Sequence, residues 1–182
     1  MKVLLHFLLL ILFSSITFAN VTIIPYGSSW KYLDNGTNQG TAWTATGFND
    51  ASWASGNGQL GYGDGDESTI VRYGGNAANK YITTYFRKNI TIGSTATYVN
   101  YTLNVKRDDG IIVYIDGIEV YRNNIAAGAV SYGTSATTAV EDGIISFTVA
   151  TSAFVSGNNT IAVEMHQASV SGSPPVSTSS DI

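Results

Sequence analysis

The dipeptide Asp116-Gly117 is the feature that most restricts how this chain folds. It separates two apolar, strand-like runs, residues 111–115 and residues 118–122. A two-residue hairpin turn of the primed type needs positive φ at both central positions, and Asp-Gly is one of the pairs that favours it. The sequence therefore predicts a β-hairpin, with Arg122 at the end of its second strand.

Alternation of apolar and polar side chains predicts further strands on both sides of this hairpin. The clearest is residues 99–106, where every second side chain is apolar. Weaker or shorter patterns cover residues 21–24, 30–33, 81–92, 144–149 and 160–165. In the run 81–92, Lys88 falls on the face that carries Phe86, which predicts an edge strand or a side chain whose amine reaches water.

The segment from Trp30 to residue 75 contains all three tryptophans together with many Gly, Asn and Asp residues. We expect a long ordered loop here, with Trp43 and Trp53 covering a small satellite core around Phe48. Charged residues make up only 12% of the chain, and no segment shows helical periodicity, although residues 50–55 suggest a single turn. Short strands separated by turn signals are typical of sandwiches. We predict an all-β fold of the jelly-roll β-sandwich class.

The first 19 residues have the layout of a secretory signal peptide. Lys2 provides the positive n-region, an apolar run extends to Phe13, and residues 17–19 offer a small-residue cleavage site. The run is short for a membrane span, and a retained anchor helix is the alternative. We therefore predict export to the cell envelope or the exterior, with residues 20–182 as one β-sandwich module and no membrane segment after cleavage.

Charge and cysteine content exclude several classes of function. The chain has 9 basic and 13 acidic side chains, which gives a net charge of −4. An acidic chain has no electrostatic reason to bind nucleic acid or anionic lipid. The absence of Cys excludes disulfides and thiolate metal sites, and the single histidine beyond the leader excludes a metal site of several His.

Two adjacent carboxylates, Asp108 and Asp109, lie between the clearest strand and the hairpin. They repel each other unless a cation or hydrogen-bond donors compensate. Calcium is one candidate, because it binds about 6–8 oxygens. In the structural alternative, one Asp caps the turn and the other pairs with Arg107 or Arg122. Gly110 would then supply a special backbone angle.

Glu164 and His166 share one face of a predicted strand, opposite Ile161, Val163 and Met165. A carboxylate beside an imidazole is a candidate acid–base pair, but catalysis would also need a nucleophile or a metal, and a cleft. The favoured interpretation is a polar network. It would hydrogen-bond His166 and its neighbours to the loop of the two aspartates or to Asp181.

Residues 61–67 form a second acidic, glycine-rich loop that includes Tyr62. Its spacing does not match the EF-hand template, which leaves a looser calcium loop or a solvated turn. Trp30 and Tyr62 belong to a set of aromatic side chains that would stack on sugar rings if they lined a groove. Coverage of the sandwich core is the alternative for these rings.

Several motifs in a fixed order carry a family resemblance. They read WKYLDNG from residue 30, FND with a following Trp from residue 48, and QLGYGDG from residue 59. After these come TTYFR from residue 83, DDG from residue 108, VYIDG from residue 113 and IAVEMHQ from residue 161. In these motifs the chain resembles a galactose-binding-like jelly-roll module of exported bacterial proteins. Such modules are often attached to metallophosphoesterases or to other extracellular enzymes and surface proteins.

The resemblance has two further implications. In the family, the closing serine–aspartate segment continues into a final strand, whereas this sequence stops at Ile182, so a truncated last strand is expected. The Asp-Asp-Gly segment also resembles lectin modules of the protective-antigen type, whose paired aspartates hold calcium at a sugar site. For Asp108 and Asp109, that second resemblance implies calcium ligation.

These observations favour a non-catalytic, carbohydrate-binding-like accessory module at the N-terminus of a larger enzyme such as a metallophosphoesterase. Its expected partners are a glycan or polysaccharide and the downstream domain of the same polypeptide. The alternatives are a structural spacer without a ligand, a calcium-dependent lectin-like adhesin, and a glycosidase that uses Glu164 with one of the paired aspartates. The candidate ligand-binding residues are Asp108, Asp109, Trp30, Tyr62, Arg122, Glu164 and His166.

Overall fold

The computed structural model describes residues 20–63, 65–140 and 143–171. Within these residues the chain is all-β, and its only helices are single 3₁₀ turns at Ala42–Thr44, Thr95–Thr97 and Thr151–Ala153. No described helix has the length and apolar character needed to cross a membrane. The predicted signal peptide at residues 1–19 lies outside the described residues.

The strands are numbered in chain order. They are β1 (Ser29–Leu33), β2 (Ala54–Asn57), β3 (Leu60–Gly61), β4 (Thr69–Ile70), β5 (Thr83–Ile92), β6 (Tyr101–Arg107), β7 (Gly110–Ile115), β8 (Ile118–Asn123), β9 (Gly143–Val149) and β10 (Gly157–His166).

Two antiparallel sheets of unequal width form a β-sandwich. The wide sheet has the order β2-β1-β5-β10-β7-β8, and the narrow sheet pairs β6 with β9. A short parallel pair, β3 and β4, is part of neither ladder. The predicted all-β sandwich is confirmed.

The hairpin formed by β7 and β8 has the predicted turn. Asp116 and Gly117 have φ values of 50° and 88°, as a primed two-residue turn requires. The pairing shifts by one position between Val113 and Tyr114, which places Tyr114 opposite Glu119. The hairpin predicted from the sequence is therefore confirmed, and it also contains a local irregularity.

The main core lies between the two sheets. Strand β10 contributes Ile161, Val163 and Met165 to it, and the narrow sheet contributes Leu103 and Phe147. Because successive side chains of a strand point to opposite faces, Ala162 and Glu164 face the outer side of the wide sheet. The two faces of β10 are therefore those that the alternation predicted.

The outer face of the wide sheet is covered by the loop after β1. Trp43, Trp53, Tyr85 and Ala162 form a second buried cluster there, with Phe48 packed against it. The satellite core expected beneath this loop is confirmed.

Some local predictions were wrong, for identifiable reasons. Residues 21–24 do not form a strand: Ile23 and Ile24 pack against the main core by their side chains, without backbone pairing to a neighbour. The loop also contains β2, β3 and β4, which apolar alternation did not reveal because their sequences are rich in small residues or only two residues long.

Lys88 does not mark an edge strand. Strand β5 lies between β1 and β10 in the interior of the wide sheet. The amine of Lys88 donates a hydrogen bond to the carbonyl of Ser29 (2.6 Å) and lies 5.7 Å from the centroid of the Trp30 ring. The alternative, a long side chain that carries its charge away from the core, accounts for its position.

Candidate functional site

The carboxylate of Asp109 binds the main chain of two neighbouring segments. Asp109 is fully buried, and its two carboxylate oxygens accept hydrogen bonds from the amides of Val140 (2.9 Å) and Ala168 (2.7 Å). The guanidinium of Arg107 donates to the main-chain oxygen of Asp109 (2.6 Å). Burial raises the pKa of Asp109, while the two amides and the charge of Arg107 act in the opposite direction.

The special backbone angle of this turn belongs to Asp109, whose φ is 51°, and not to Gly110. A Cβ at Gly110 would lie 2.4 Å from Cδ1 of Ile125 and 2.9 Å from Cβ of Ala136. Glycine is therefore required at residue 110 for close packing. The structural alternative for the aspartate pair was correct about a turn but wrong about the role of this glycine.

Arg122 forms an ion pair with Glu119 (2.7 Å) and does not contact the aspartates through any hydrogen bond seen among the described residues. Its guanidinium also donates to the carbonyls of Ala126 (2.6 Å) and Gly128 (3.1 Å). These contacts fix the segment that follows β8.

The calcium prediction is not decided by this geometry. Asp108 is fully buried beside Asp109, whose two oxygens already accept amide hydrogen bonds. Among the residues that the structure describes, no three His, Asp or Glu side chains converge as a metal site would require. Asp64, in the second acidic loop, lies outside them. Calcium at Asp108 and Asp109 stays a prediction.

The two aromatic candidates of the sequence, Trp30 and Tyr62, both pack in the main core, as the alternative interpretation expected. Tyr62 is buried, its ring centroid is 5.3 Å from that of Tyr73, and burial raises its pKa, with a smaller effect of the nearby aspartates. Trp30 is half-buried in β1 and borders a groove between the two sheets.

Glu164 and His166 form the polar network that the sequence predicted, but with different partners. The hydroxyl of Tyr114 donates to Oε1 of Glu164 (2.6 Å), and Nε2 of His166 lies 3.3 Å from Oε2. Nδ1 of His166 lies 2.7 Å from the carbonyl of Thr134 and 3.1 Å from the hydroxyl of Thr83. Since a carbonyl only accepts, Nδ1 carries a proton. Asp181, an expected partner, lies outside the described residues.

Glu164 also borders a cavity of about 140 Å³ on the outer face of the wide sheet, which we call the aromatic pocket. Strands β5, β7 and β10 form its base, and the segments around residues 40–44 and 130–132 form its walls. Its lining consists of Gly40, Thr41, Trp43, Thr44, Tyr85, Tyr114, Gly117, Val130, Ser131, Tyr132 and Glu164.

The aromatic rings of this pocket hold one another in place. The ring of Trp43 meets that of Tyr85 edge-on, with centroids 4.8 Å apart, and that of Tyr114 at 5.8 Å. Burial raises the pKa of Tyr85 to about 12, and burial together with Glu164 also raises the pKa of Tyr114. Both phenols therefore keep their protons at neutral pH and remain hydrogen-bond donors.

A buried arginine anchors the loop that carries Trp43. Nε of Arg87, on β5, is 2.9 Å from the carboxylate of Asp50, and the same guanidinium donates to the carbonyls of Trp43 and Ala45. The hydroxyl of Thr46 donates to the side chain of Asp116 in the hairpin turn (2.6 Å). These contacts fix the wall of the pocket before any ligand arrives.

The structure brings together only some of the residues that the sequence singled out. Asp108, Asp109 and Tyr62 lie near one another in the buried interior, and Glu164 and His166 form a separate pair, of which Glu164 lines the aromatic pocket. Tyr114 and Tyr132 were not singled out. Alternation along β7 places Tyr114 on the outer face, as Glu164 is on β10, whereas no sequence signal places the loop residue Tyr132 at the pocket.

No protein-family model and no curated protein matches this chain. Similar solved structures include a β-glucuronidase from glycoside hydrolase family 2, with a TM-score of 0.49 and 16% identity over 78% of this chain and 13% of that one. A β-glycosidase from Bacteroides vulgatus has a TM-score of 0.46 and 18% identity over 78% of this chain and 16% of that one.

A calcium-binding mutant of Bacteroides uniformis β-glucuronidase 2 has a TM-score of 0.49 and 18% identity, over 83% of this chain and 15% of that one. This chain therefore spans only a small part of the length of these proteins. At these scores and identities, the likeness does not extend to activity, substrate or site residues.

Proposed function

We propose that this β-sandwich is a non-catalytic module that binds one sugar ring of a glycan or polysaccharide in the aromatic pocket. The observation that carries the proposal is the combination of four aromatic side chains with one nearly buried carboxylate around a single cavity: Trp43, Tyr85, Tyr114, Tyr132 and Glu164.

This combination matches the two chemical characters of a sugar ring. Aromatic side chains pack against its apolar C–H groups, and a carboxylate accepts hydrogen bonds from its hydroxyls. Glu164 accepts one hydrogen bond from Tyr114, which orients the carboxylate and leaves it further lone pairs for a ligand. The exposed hydroxyls of Thr41 and Ser131 at the rim offer both donors and acceptors.

The size of the pocket favours a single ring. Its volume of about 140 Å³ is below the roughly 300–1,000 Å³ of pockets that enclose drug-sized ligands. A long saccharide would therefore place one residue, such as its terminal ring, in the pocket and the rest outside.

The carboxylate content of the pocket favours binding over hydrolysis. Glycosidases generally place two carboxyl groups on either side of the bond that they cleave. Glu164 is the one carboxylate among the described residues that line the aromatic pocket. The resemblance noted above supports an accessory role in a secreted or cell-surface bacterial protein, at the N-terminus of an enzyme such as a metallophosphoesterase.

The first prediction concerns Tyr132, the half-buried ring at the mouth of the pocket. We expect Tyr132→Ala to weaken saccharide binding about tenfold, because stacking on one aromatic ring contributes roughly 0.5–1.5 kcal/mol beyond the area that it buries. A glycan array identifies the ligand for the wild-type protein, and calorimetry then compares the two proteins.

Tyr26→Ala is the matched control, because Tyr26 is an exposed tyrosine that borders the groove between the sheets and not the aromatic pocket. Its affinity should equal that of the wild-type protein. If Tyr26→Ala weakens binding and Tyr132→Ala does not, the saccharide occupies the groove and the proposed site is wrong. Absence of binding to every saccharide on the array contradicts the proposed function itself.

A second candidate function is a packing domain without a ligand. It is favoured by the groove between the two sheets, which has a volume of about 990 Å³ and apolar walls that include Leu103, Val105 and Ile161. In this case the domain buries the groove against the polypeptide that it accompanies. The measurement that tests this candidate concerns the whole molecule and is given in the Discussion.

A further inference from the structure

We propose that the aromatic pocket selects a sugar ring that carries a protonated amine, such as a 2-amino sugar, over the corresponding neutral hexose. This inference rests on the proposed function, since it names the ligand class of the same pocket. It is carried by the charge of the pocket and by the character of its walls.

The pocket contains an acidic group with no basic side chain beside it in the lining. Glu164 is 5% exposed, and no Lys or Arg occurs among the described residues that line the cavity. Removal of a carboxylate from water is costly unless a partner compensates. Tyr114 and His166 already contact this carboxylate, and a ligand that brings its own positive charge would add a charged partner from the side of the cavity.

The arginines on strands β5 and β8 have anionic partners of their own, and the charge of Arg122 also interacts with that of Glu164. Arg87, on the neighbouring strand β5, is paired with Asp50, and Arg122 is paired with Glu119. His166 lies behind Glu164 and provides a positive charge only when its ring is protonated. The hydroxyl of Tyr114, which donates to Glu164, is neutral.

Glu164 retains the capacity to bind an ammonium group. An ionised carboxylate offers about four lone-pair positions. Tyr114 uses one of them, and His166 lies 3.3 Å from the other oxygen. A protonated amine has three N–H donors, and a hydrogen bond between two charged groups is roughly twice as strong as one between neutral groups.

The aromatic walls act in the same direction. The π-face of an aromatic ring attracts a cation within about 6 Å, and the attraction grows when water is excluded. Tyr114 and Tyr132 are the half-buried rings that border the space next to the carboxylate, with the buried rings of Trp43 and Tyr85 behind them. An uncharged hydroxyl at the same position on the ring gains neither the charge-assisted hydrogen bond nor the cation–π attraction.

Glucose and glucosamine are the decisive probes, because they differ only in the group at one ring carbon. We expect the wild-type protein to bind glucosamine at least about tenfold more tightly than glucose at neutral pH, in calorimetry or ligand-observed NMR. Butylamine is the third probe, because it carries the ammonium group without the ring.

Glu164→Gln removes the charge and preserves the shape and an acceptor oxygen for Tyr114. We expect this variant to bind both sugars with affinities within about threefold of each other, so the preference for the amine disappears. Asp66→Asn is the control, because it makes the same change of charge at an exposed carboxylate paired with Lys106, outside the pocket. It should retain the full preference.

The outcomes separate this inference from the proposed function. Equal binding of glucose and glucosamine by the wild-type protein overturns the inference and supports the proposed function. Binding of butylamine as tight as that of glucosamine supports ammonium recognition and overturns sugar recognition. If none of the three probes binds, the inference is overturned as well. The comparison of glucose with glucosamine binding by the wild-type protein tests the inference even if Glu164→Gln fails to fold.

Discussion

Asp109 shows how one buried side chain stabilises several segments of this domain. Its carboxylate accepts the amides of Val140 and Ala168, which belong to segments far from it in sequence. Its own amide donates to the carbonyl of Val140 (3.0 Å), and its carbonyl accepts from Arg107. A residue that satisfies so many polar groups in the interior is expected to contribute to stability, because buried amides without partners are costly.

Asp109→Asn should therefore destabilise the fold. The amide NH₂ of Asn would face one of the two main-chain N–H groups, leaving that donor unsatisfied at a cost of about 1–3 kcal/mol. Urea denaturation measures the change. Asp66→Asn, at an exposed carboxylate, should change the free energy of unfolding by less than about 0.5 kcal/mol. Equal effects of the two substitutions would contradict the structural role of Asp109.

The free energies of unfolding of the wild-type protein and of Asp109→Asn should also differ in their dependence on pH. Since burial raises the pKa of Asp109 above its ordinary value of 3.8, the native state holds this proton to a higher pH than the unfolded state does. The stability contributed by this group therefore decreases as pH rises from about that value through the raised native pKa. Asp109→Asn should lack this decrease.

At the scale of elements, the hairpin of β7 and β8 does more than reverse the chain. The Asp116 carboxylate in its turn accepts the amide of Thr160 on β10 (2.7 Å) and the hydroxyl of Thr46 in the covering loop. Gly117 borders the aromatic pocket. The turn therefore joins the sheet, the loop and the candidate site.

Gly117→Ala tests this turn through its backbone alone. The φ of Gly117 is 88°, and the nearest heavy atom to an added Cβ is Cα of Ala45 at 3.7 Å, which is ordinary contact. We expect a loss of about 1–2 kcal/mol, because L-residues avoid this backbone conformation. Thermal unfolding measures the loss.

Gly133→Ala is the matched control. Gly133 has no positive φ, and nothing lies within 4 Å of an added Cβ. This substitution should be neutral or should stabilise by up to about 1 kcal/mol, through the lower entropy of the unfolded chain. A loss at residue 133 equal to that at residue 117 would show that backbone conformation is not the cause.

At the scale of the whole molecule, the two sheets differ in width, and this leaves apolar surface incompletely covered. The narrow sheet has two strands opposite a sheet of six, and Leu103 and Val105 on its inner face are only half-buried. Both border the groove of about 990 Å³. A groove of this size, with apolar side chains in its lining, is the feature that favours the packing-domain function.

Dye binding tests whether this groove is accessible. Anilinonaphthalene sulfonate, which fluoresces on exposed apolar surface, should bind the native protein saturably, and Leu103→Ser should weaken that binding. Ile144→Ser is the control, because Ile144 is exposed and does not border the groove. If the native protein gives no fluorescence increase, the groove is closed in solution and the packing-domain candidate loses its support.

The sequence by itself determined the features that depend on neighbouring residues. Asp116-Gly117 defined a turn, and period-two alternation indicated most of the longer strands and the two faces of β10, because both signals arise from local backbone geometry. The satellite core under the loop was also predictable, since Trp43, Trp53 and Phe48 lie close together in the sequence. Strand ends differed by only a few residues.

Only the tertiary structure decided which distant side chains meet. The aromatic pocket combines Glu164 of β10 with Tyr114 of β7 and Tyr132 of a loop, and the buried Arg87 holds the covering loop through Asp50. Sheet order and loop path determine these contacts, and neither is encoded in local periodicity. Alternation along β10 was enough to identify Glu164 as an outward-facing carboxylate. Its partners became known only when the strands were placed side by side.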